Sequence, residues 1–205
     1  MTPHEAEAAL AAGAVVLDLR PPRPFASEHL PGALTMQFNR ADLADRAEMM
    51  LPPELRLVVH AEPEPIAKVA VEILRGASFD VLGYLEGGLR AWKEAGGDTE
   101  SLPLLNVDEL REDLAAFTVV DAREPFEHRH AHIAGAILLP PGDAWGRAAD
   151  APDGPLAVVC GDQTRSAYVA SILRRAGKDA RLVMGGMVDW LERGYPVEKA
   201  SASVS

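Results

Sequence analysis

One stretch of this chain is written twice. Val16-Leu17-Asp18-Leu19-Arg20, followed by His29-Leu30-Pro31-Gly32-Ala33, returns as Val119-Val120-Asp121-Ala122-Arg123 followed by His132-Ile133-Ala134-Gly135-Ala136. Asp18, Arg20, His29, Gly32 and Pro22 each reappear 103 positions later. Farther along, Val58-Val59 pairs with Val158-Val159, Ile73-Leu74-Arg75 with Ile172-Leu173-Arg174, Gly87-Gly88 with Gly185-Gly186, and Trp92 with Trp190. The offset thus shrinks from 103 through 100 and 99 to 98, as expected when loops differ by a residue or two. Two copies of about 100 residues make a pair of homologous domains and not a solenoid. We place the copies at 1–97 and 103–198, joined through the Gly-rich polar stretch 95–101, a composition suited to a short linker. Residues 199–205 show no apolar periodicity and read as a disordered tail.

Within the second copy, the apolar runs 118–121, 156–160 and 181–184 read as buried strands. Residues 166–176 place Val169, Ile172, Leu173 and Ala176 at helical spacing, and Gly177 stands where a helix would stop. Strands alternating with helices imply a parallel sheet covered on both faces. In such sheets, ligands meet the carboxyl ends of the strands. At 48% hydrophobic and 5% aromatic, the core must be built mostly from Val, Leu, Ile and Ala.

A net charge of -11 argues against nucleic acid as a partner, because phosphate binding needs a clustered basic surface. It argues equally against an anionic membrane surface, and no run approaches the roughly 18–20 apolar residues that span a bilayer. The opening Met1-Thr2-Pro3-His4-Glu5 lacks the basic region of a signal peptide, so a cytoplasmic location is expected.

The chain has one cysteine, which excludes an intrachain disulfide and a multi-cysteine zinc site. A lone Cys is ordinarily an inert small hydrophobe. Cys160, however, follows Leu156-Ala157-Val158-Val159 at a strand's carboxyl end, and Gly161-Asp162-Gln163-Thr164-Arg165 then leads into a helix near Ser166. A chain winding tightly from strand to helix points several N–H groups into one bowl, where they and the helix dipole stabilise an anion. Fields of that sign favour thiolate, the nucleophilic form. Arg165 would add a permanent positive charge.

Four marks now stand in order: Asp121-Ala122-Arg123-Glu124-Pro125, His132-Ile133-Ala134-Gly135-Ala136, the Cys160–Arg165 loop, and Met184-Gly185-Gly186-Met187-Val188-Asp189-Trp190. Most of them recur in the first copy. Both halves resemble rhodanese-like domains, the sulfurtransferase family. The resemblance implies an α/β fold with a central five-stranded parallel sheet flanked by helices in each copy. It also implies a persulfide formed on Cys160, with Gly161, Asp162, Gln163, Thr164 and Ser166 forming the cradle and no metal or cofactor required. Relatives that act on phosphate esters or arsenate carry a loop one residue longer; the six residues from Cys160 to Arg165 suit a single outer sulfur. The expected partners are a small-molecule sulfur donor (thiosulfate or a low-molecular-weight persulfide) and a cyanide or thiol acceptor. A protein persulfide is an alternative donor or acceptor, and a non-catalytic binding module is the competing reading of the whole chain. Family loops often carry Gly where Gln163 stands, and Asp162 partly cancels Arg165, which should weaken capture of dianionic thiosulfate by a few-fold to about tenfold.

In the first copy, the strand Leu57-Val58-Val59-His60 places His60 where Cys160 stands. The following Ala61-Glu62-Pro63-Glu64-Pro65-Ile66 holds two carboxylates and two prolines without N–H groups, so this copy is expected to be catalytically inactive. His60 as a metal ligand with Glu62 and Glu64 is the less favoured alternative. Asp121 and Arg123 could tune Cys160, but Asp18 and Arg20 recur in the inactive copy, which favours a structural salt bridge. Trp92 and Trp190 read as core anchors, and His128 and His130 as residues of a solvated loop.

Overall fold

The computed structural model describes residues 1–199; six of the seven positions of the expected tail, 200–205, lie outside the described residues. The chain divides into two compact units, Met1–Ser101 and Leu102–Ser205. In chain order the first unit comprises α1 (Pro3–Ala11), β1 (Val15–Asp18), α2 (Pro22–Ser27), β2 (Leu34–Thr35), α3 (Leu43–Met50), β3 (Arg56–His60), α4 (Glu64–Gly76), β4 (Asp80–Tyr84) and α5 (Gly88–Glu94). The second comprises β5 (Leu104–Asn106), α6 (Val107–Glu112), β6 (Thr118–Asp121), α7 (Pro125–His130), β7 (Ile137–Leu138), α8 (Pro141–Arg147), β8 (Pro155–Val159), α9 (Thr164–Arg175), β9 (Asp179–Met184) and α10 (Gly186–Glu192).

All strand pairs in both sheets are parallel. The second sheet has the expected five strands, in the order β5-β9-β8-β6-β7. The first has four among the described residues, in the order β2-β1-β3-β4. The difference lies at one edge. β5 runs beside β9 for three residues, whereas beside β4 only Met1 is present. Its ammonium donates to Tyr84 O at 2.9 Å, and its carbonyl accepts from Glu86 N at 3.0 Å. That is one rung of a parallel ladder and no strand.

The central strands β1, β6 and β8 are buried nearly end to end because helices cover both faces, so their sequences read as continuous apolar runs. On one face of the second sheet, Val119, Ala157, Val159 and Val183 meet Val107 and Leu110 of α6 and Met187 and Trp190 of α10. Each fully buried Val, Leu or Met among these contributes about 1.5–3 kcal/mol. On the other face α9 is buried continuously from Ser166 to Leu173, a wider contact than the expected stripe; Ala176 lies past its end and is exposed. The helix also begins two residues earlier than its apolar pattern indicated, at Thr164.

The stretch 95–101 is bound to the first unit. Glu100 pairs with His29 through two backbone hydrogen bonds of 2.8 and 2.9 Å, and the Trp92 indole donates to Asp98 O at 2.8 Å. Gly97 crosses the indole so closely that a Cβ there would lie 2.2 Å from it, so this glycine serves close approach and not linker flexibility. The second unit repeats the device, with Glu198 paired to His132 and the Trp190 indole donating to Pro196 O. Both tryptophans are core anchors, at 6% and 1% exposure. Among the described residues, no helix is long and apolar enough to cross a membrane.

Candidate active site

β8 ends at Val159 and α9 begins at Thr164, so Cys160 opens the strand-to-helix loop. Side chains alternate along a strand. Val159 enters the cluster beneath α6 and α10, which turns Cys160 toward α9, where its Sγ lies 3.2 Å from Ser166 Oγ. The carbonyl of Cys160 is tied to α10, accepting from Met187 N at 2.7 Å. Gly186 makes that approach feasible: its φ is +57°, and a Cβ would lie 2.4 Å from Cys160 O. The paired glycines, which read as a tight turn after a strand, thus also seat Cys160.

The loop differs from the bowl expected from sequence in three respects. Cys160 is completely buried. The amide of Thr164 is occupied, donating to Asp162 Oδ1 at 3.2 Å, and that same oxygen lies 4.0 Å from Cys160 Sγ. Arg165 is not a free charge either: its guanidinium makes a bidentate pair with Glu127 of α7, with Nη2 to Oε1 at 2.9 Å. Glu127 raises the pKa of Arg165 against the effect of burial, and Arg165 holds the Glu127 carboxyl below the usual range. Gln163 has φ +79°, in the left-handed region that glycine adopts without strain.

Asp121 and Arg123 form a buried salt bridge with Nη2 to Oδ2 at 2.7 Å, and Arg123 also donates to Ala131 O. Asp18 and Arg20 repeat it at the same 2.7 Å, with Glu28 O in place of Ala131 O. The same bridge in a copy without the cysteine supports the structural reading. His128 is not a solvated-loop residue: its Nδ1 lies 2.9 Å from Asp121 Oδ2, and its ring stacks on His132 at 4.0 Å. Phe25, 103 positions earlier, stacks on His29 at the same distance, so the stack is common to both copies and the hydrogen bond to Asp121 is not. Burial would raise the Asp121 carboxyl, but the bonds from Arg123 and His128 outweigh it and hold it below its ordinary value.

Sequence reasoning missed Glu127. The available signal was a paired difference: Pro24 stands in its place in the first copy, and that copy's loop has no arginine.

The sheet register also corrects the counterpart of Cys160. Asp121 lies opposite Val159, and Ala122 N donates to Val159 O at 2.8 Å; the equivalent Asp18 lies opposite His60, and Leu19 N donates to His60 O at 2.8 Å. His60 therefore matches Val159, and Ala61 matches Cys160. The assignment by sequence slipped by one residue because both strands carry a Val-Val pair that aligns in either register. One residue is also one face: His60 points at Gly88 of α5, where a Cβ would lie 3.0 Å from its ring. The first copy thus has alanine, with no nucleophilic atom, at the position of Cys160. Nor do His60, Glu62 and Glu64 form a metal set. Glu64 is engaged with Gly87 N and Lys68, and among the described residues no group of three or more His, Cys, Asp and Glu is placed to hold a metal.

The chain belongs to the rhodanese-like domain family, whose model matches residues 2–95 and again 106–193. It is a tandem protein of that family. A curated relative from Mycobacterium tuberculosis, named "Putative thiosulfate sulfurtransferase SseB", is 29% identical, with 58% of this chain and 57% of the relative covered. The chain thus spans somewhat over half the length of the curated relatives it matches. Among solved structures, a rhodanese-related protein from Thermoplasma volcanium is 35% identical over 47% of this chain and 97% of its own, with a TM-score of 0.46. A thiosulfate sulfurtransferase from Pseudomonas aeruginosa is 23% identical over 100% of this chain and 45% of its own, with a TM-score of 0.42.

Proposed function

We propose that the chain is a sulfurtransferase with one active site, in the second unit, acting through a persulfide on Cys160. The observation that carries this reading is the placement of the chain's single cysteine at the carboxyl end of β8, with Ser166 Oγ at 3.2 Å from its sulfur. As a thiolate, Cys160 attacks the outer sulfur of a donor. The donor's S–S bond breaks, and its electron pair leaves with sulfite (from thiosulfate) or a thiolate (from a persulfide). The outer sulfur remains on Cys160 until an acceptor thiolate or cyanide removes it and regenerates the thiolate, a two-step exchange. Ser166 Oγ is placed to donate to the sulfur in its anionic state. The loop amides and Arg165 are the remaining groups proposed to hold the outer sulfur.

The test is intact-protein mass spectrometry after exposure to thiosulfate and, separately, to cysteine persulfide. The reading expects a gain of one sulfur atom, lost on adding cyanide and absent in Cys160→Ala. Thiosulfate:cyanide turnover that survives in Cys160→Ala would overturn it. The complete burial of Cys160 favours a second reading, a binding module without catalysis. A small alkylating reagent separates the two: the enzyme reading expects Cys160 to be modified in the folded chain within minutes, by transient opening of its loop, and the module reading expects it to stay unmodified.

A further inference from the structure

One amide of the loop and its arginine are each engaged by a carboxylate of the chain itself. Asp162 Oδ1 accepts from the Thr164 amide at 3.2 Å, and Glu127 takes both terminal nitrogens of Arg165. The two carboxylates differ in how they are held. Glu127 is bound at two points and also accepts from Glu124 N at 3.0 Å, whereas Asp162 is exposed and has one such bond.

An S–S bond is about 2.05 Å long. Laid along the 4.0 Å line from Cys160 Sγ to Asp162 Oδ1, it would end about 2 Å from the carboxylate oxygen, well inside contact distance. A sulfur directed at the Thr164 amide and the Asp162 carboxylate therefore cannot both be in place. We propose that Asp162 is the specificity-determining residue of the Cys160 site: its carboxylate occupies the seat of the outer sulfur, is displaced into solvent when the persulfide forms, and selects against donors that bring a double negative charge to the loop. This rests on the sulfurtransferase reading and narrows its substrate class to persulfides, in preference to thiosulfate. Thiosulfate carries two negative charges on the group being attacked, and its sulfite leaving group departs past Asp162. With cysteine persulfide, Cys160 thiolate bonds to the outer sulfur, the S–S bond breaks, and cysteine leaves as a thiolate that takes a proton from water.

The experiment measures the rate at which Cys160 gains one sulfur, by mass, from thiosulfate and from cysteine persulfide, in the wild type, Asp162→Asn and Asp162→Ala. Asn removes the charge and keeps an acceptor for the Thr164 amide; Ala removes both. The expected result is a wild-type preference for cysteine persulfide of at least about tenfold. The thiosulfate-to-persulfide rate ratio should rise about tenfold in Asp162→Asn, as an exposed charge acting over a few ångströms allows, and Asp162→Ala should load faster from both donors than Asp162→Asn. A ratio within twofold of wild type in both variants, with both donors loading, overturns the role of Asp162 and leaves the enzyme reading standing. No added sulfur from either donor in any of the three proteins overturns both.

Discussion

Replacing His60 with valine should stabilise the first unit. The His60 side chain has no exposed surface, and neither ring nitrogen has a hydrogen-bond partner among the described residues. The nearest carboxylate, Glu62 Oε1, stands 3.7 Å from Nε2, too far for a hydrogen bond. A buried polar group left unbonded costs about 1–3 kcal/mol. Valine is smaller, and the space it leaves returns about 0.5–1 kcal/mol of that gain. Val159 at the matching register shows that valine suits this place in the fold. The net expectation is about 1 kcal/mol at pH 7, or roughly 4–8 °C in the midpoint of a unit of about 100 residues.

The advantage should widen in acid. Burial pushes the His60 pKa below 6.5, so the folded state binds fewer protons than the unfolded state, and stability conferred above pH 6.5 is lost as pH falls toward the depressed value. His29 is depressed by burial in the same way, but it is present in both proteins and cancels in the comparison. Urea titrations at pH 7.5 and 5.5, followed by the NMR resonance of the Trp92 indole N–H, report the first unit directly. A valine variant that is less stable than wild type at both pH values, or that keeps the wild-type dependence on pH, would refute the account of His60.

Gln163→Gly should stabilise the second unit by about 0.5–1 kcal/mol, since glycine adopts φ +79° without the strain that glutamine bears there; thermal denaturation is the check, and destabilisation would contradict it. Glu127→Gln should cost about 1 kcal/mol at pH 7, because the pair it breaks with Arg165 is only half-buried. Arg165 holds the Glu127 carboxyl below its ordinary 4.5. That stability is therefore present above pH 4.5 and lost as pH falls through the depressed value, so the denaturation midpoints of variant and wild type should converge as the pH is lowered through that value.

Much of this molecule was legible because apolar runs and turn glycines are local signals. Val119-Val120, Leu156–Val159 and the Gly185-Gly186 pair declare a strand, a strand and a turn with no knowledge of their neighbours. What was lost in each case depended on a partner distant in sequence. Register is set by the hydrogen bond from Leu19 to His60, which a repeated Val-Val pair cannot disclose. The first sheet's missing strand depends on what lies beside β4. The state of Arg165 depends on Glu127, 38 residues away. Composition also misread 95–101, where Gly97 answers to the face of Trp92.

The two copies act as an internal subtraction, and the remainder is informative. The buried Asp–Arg bridge, the aromatic ring stacked on histidine, the paired glycines and the anchored tryptophan are present in both units, so they serve the fold. Cys160, Ser166, the Glu127–Arg165 pair and the His128–Asp121 hydrogen bond occur in the second unit alone. Three of these four tie the loop, or the helix facing it, to fixed neighbours, and the fourth is the cysteine itself. The loop is thus restrained by contacts that the fold does not require, in the unit that carries the cysteine. Were the second unit a passive module, nothing in its packing would call for Glu127 and Arg165 to differ together from the first.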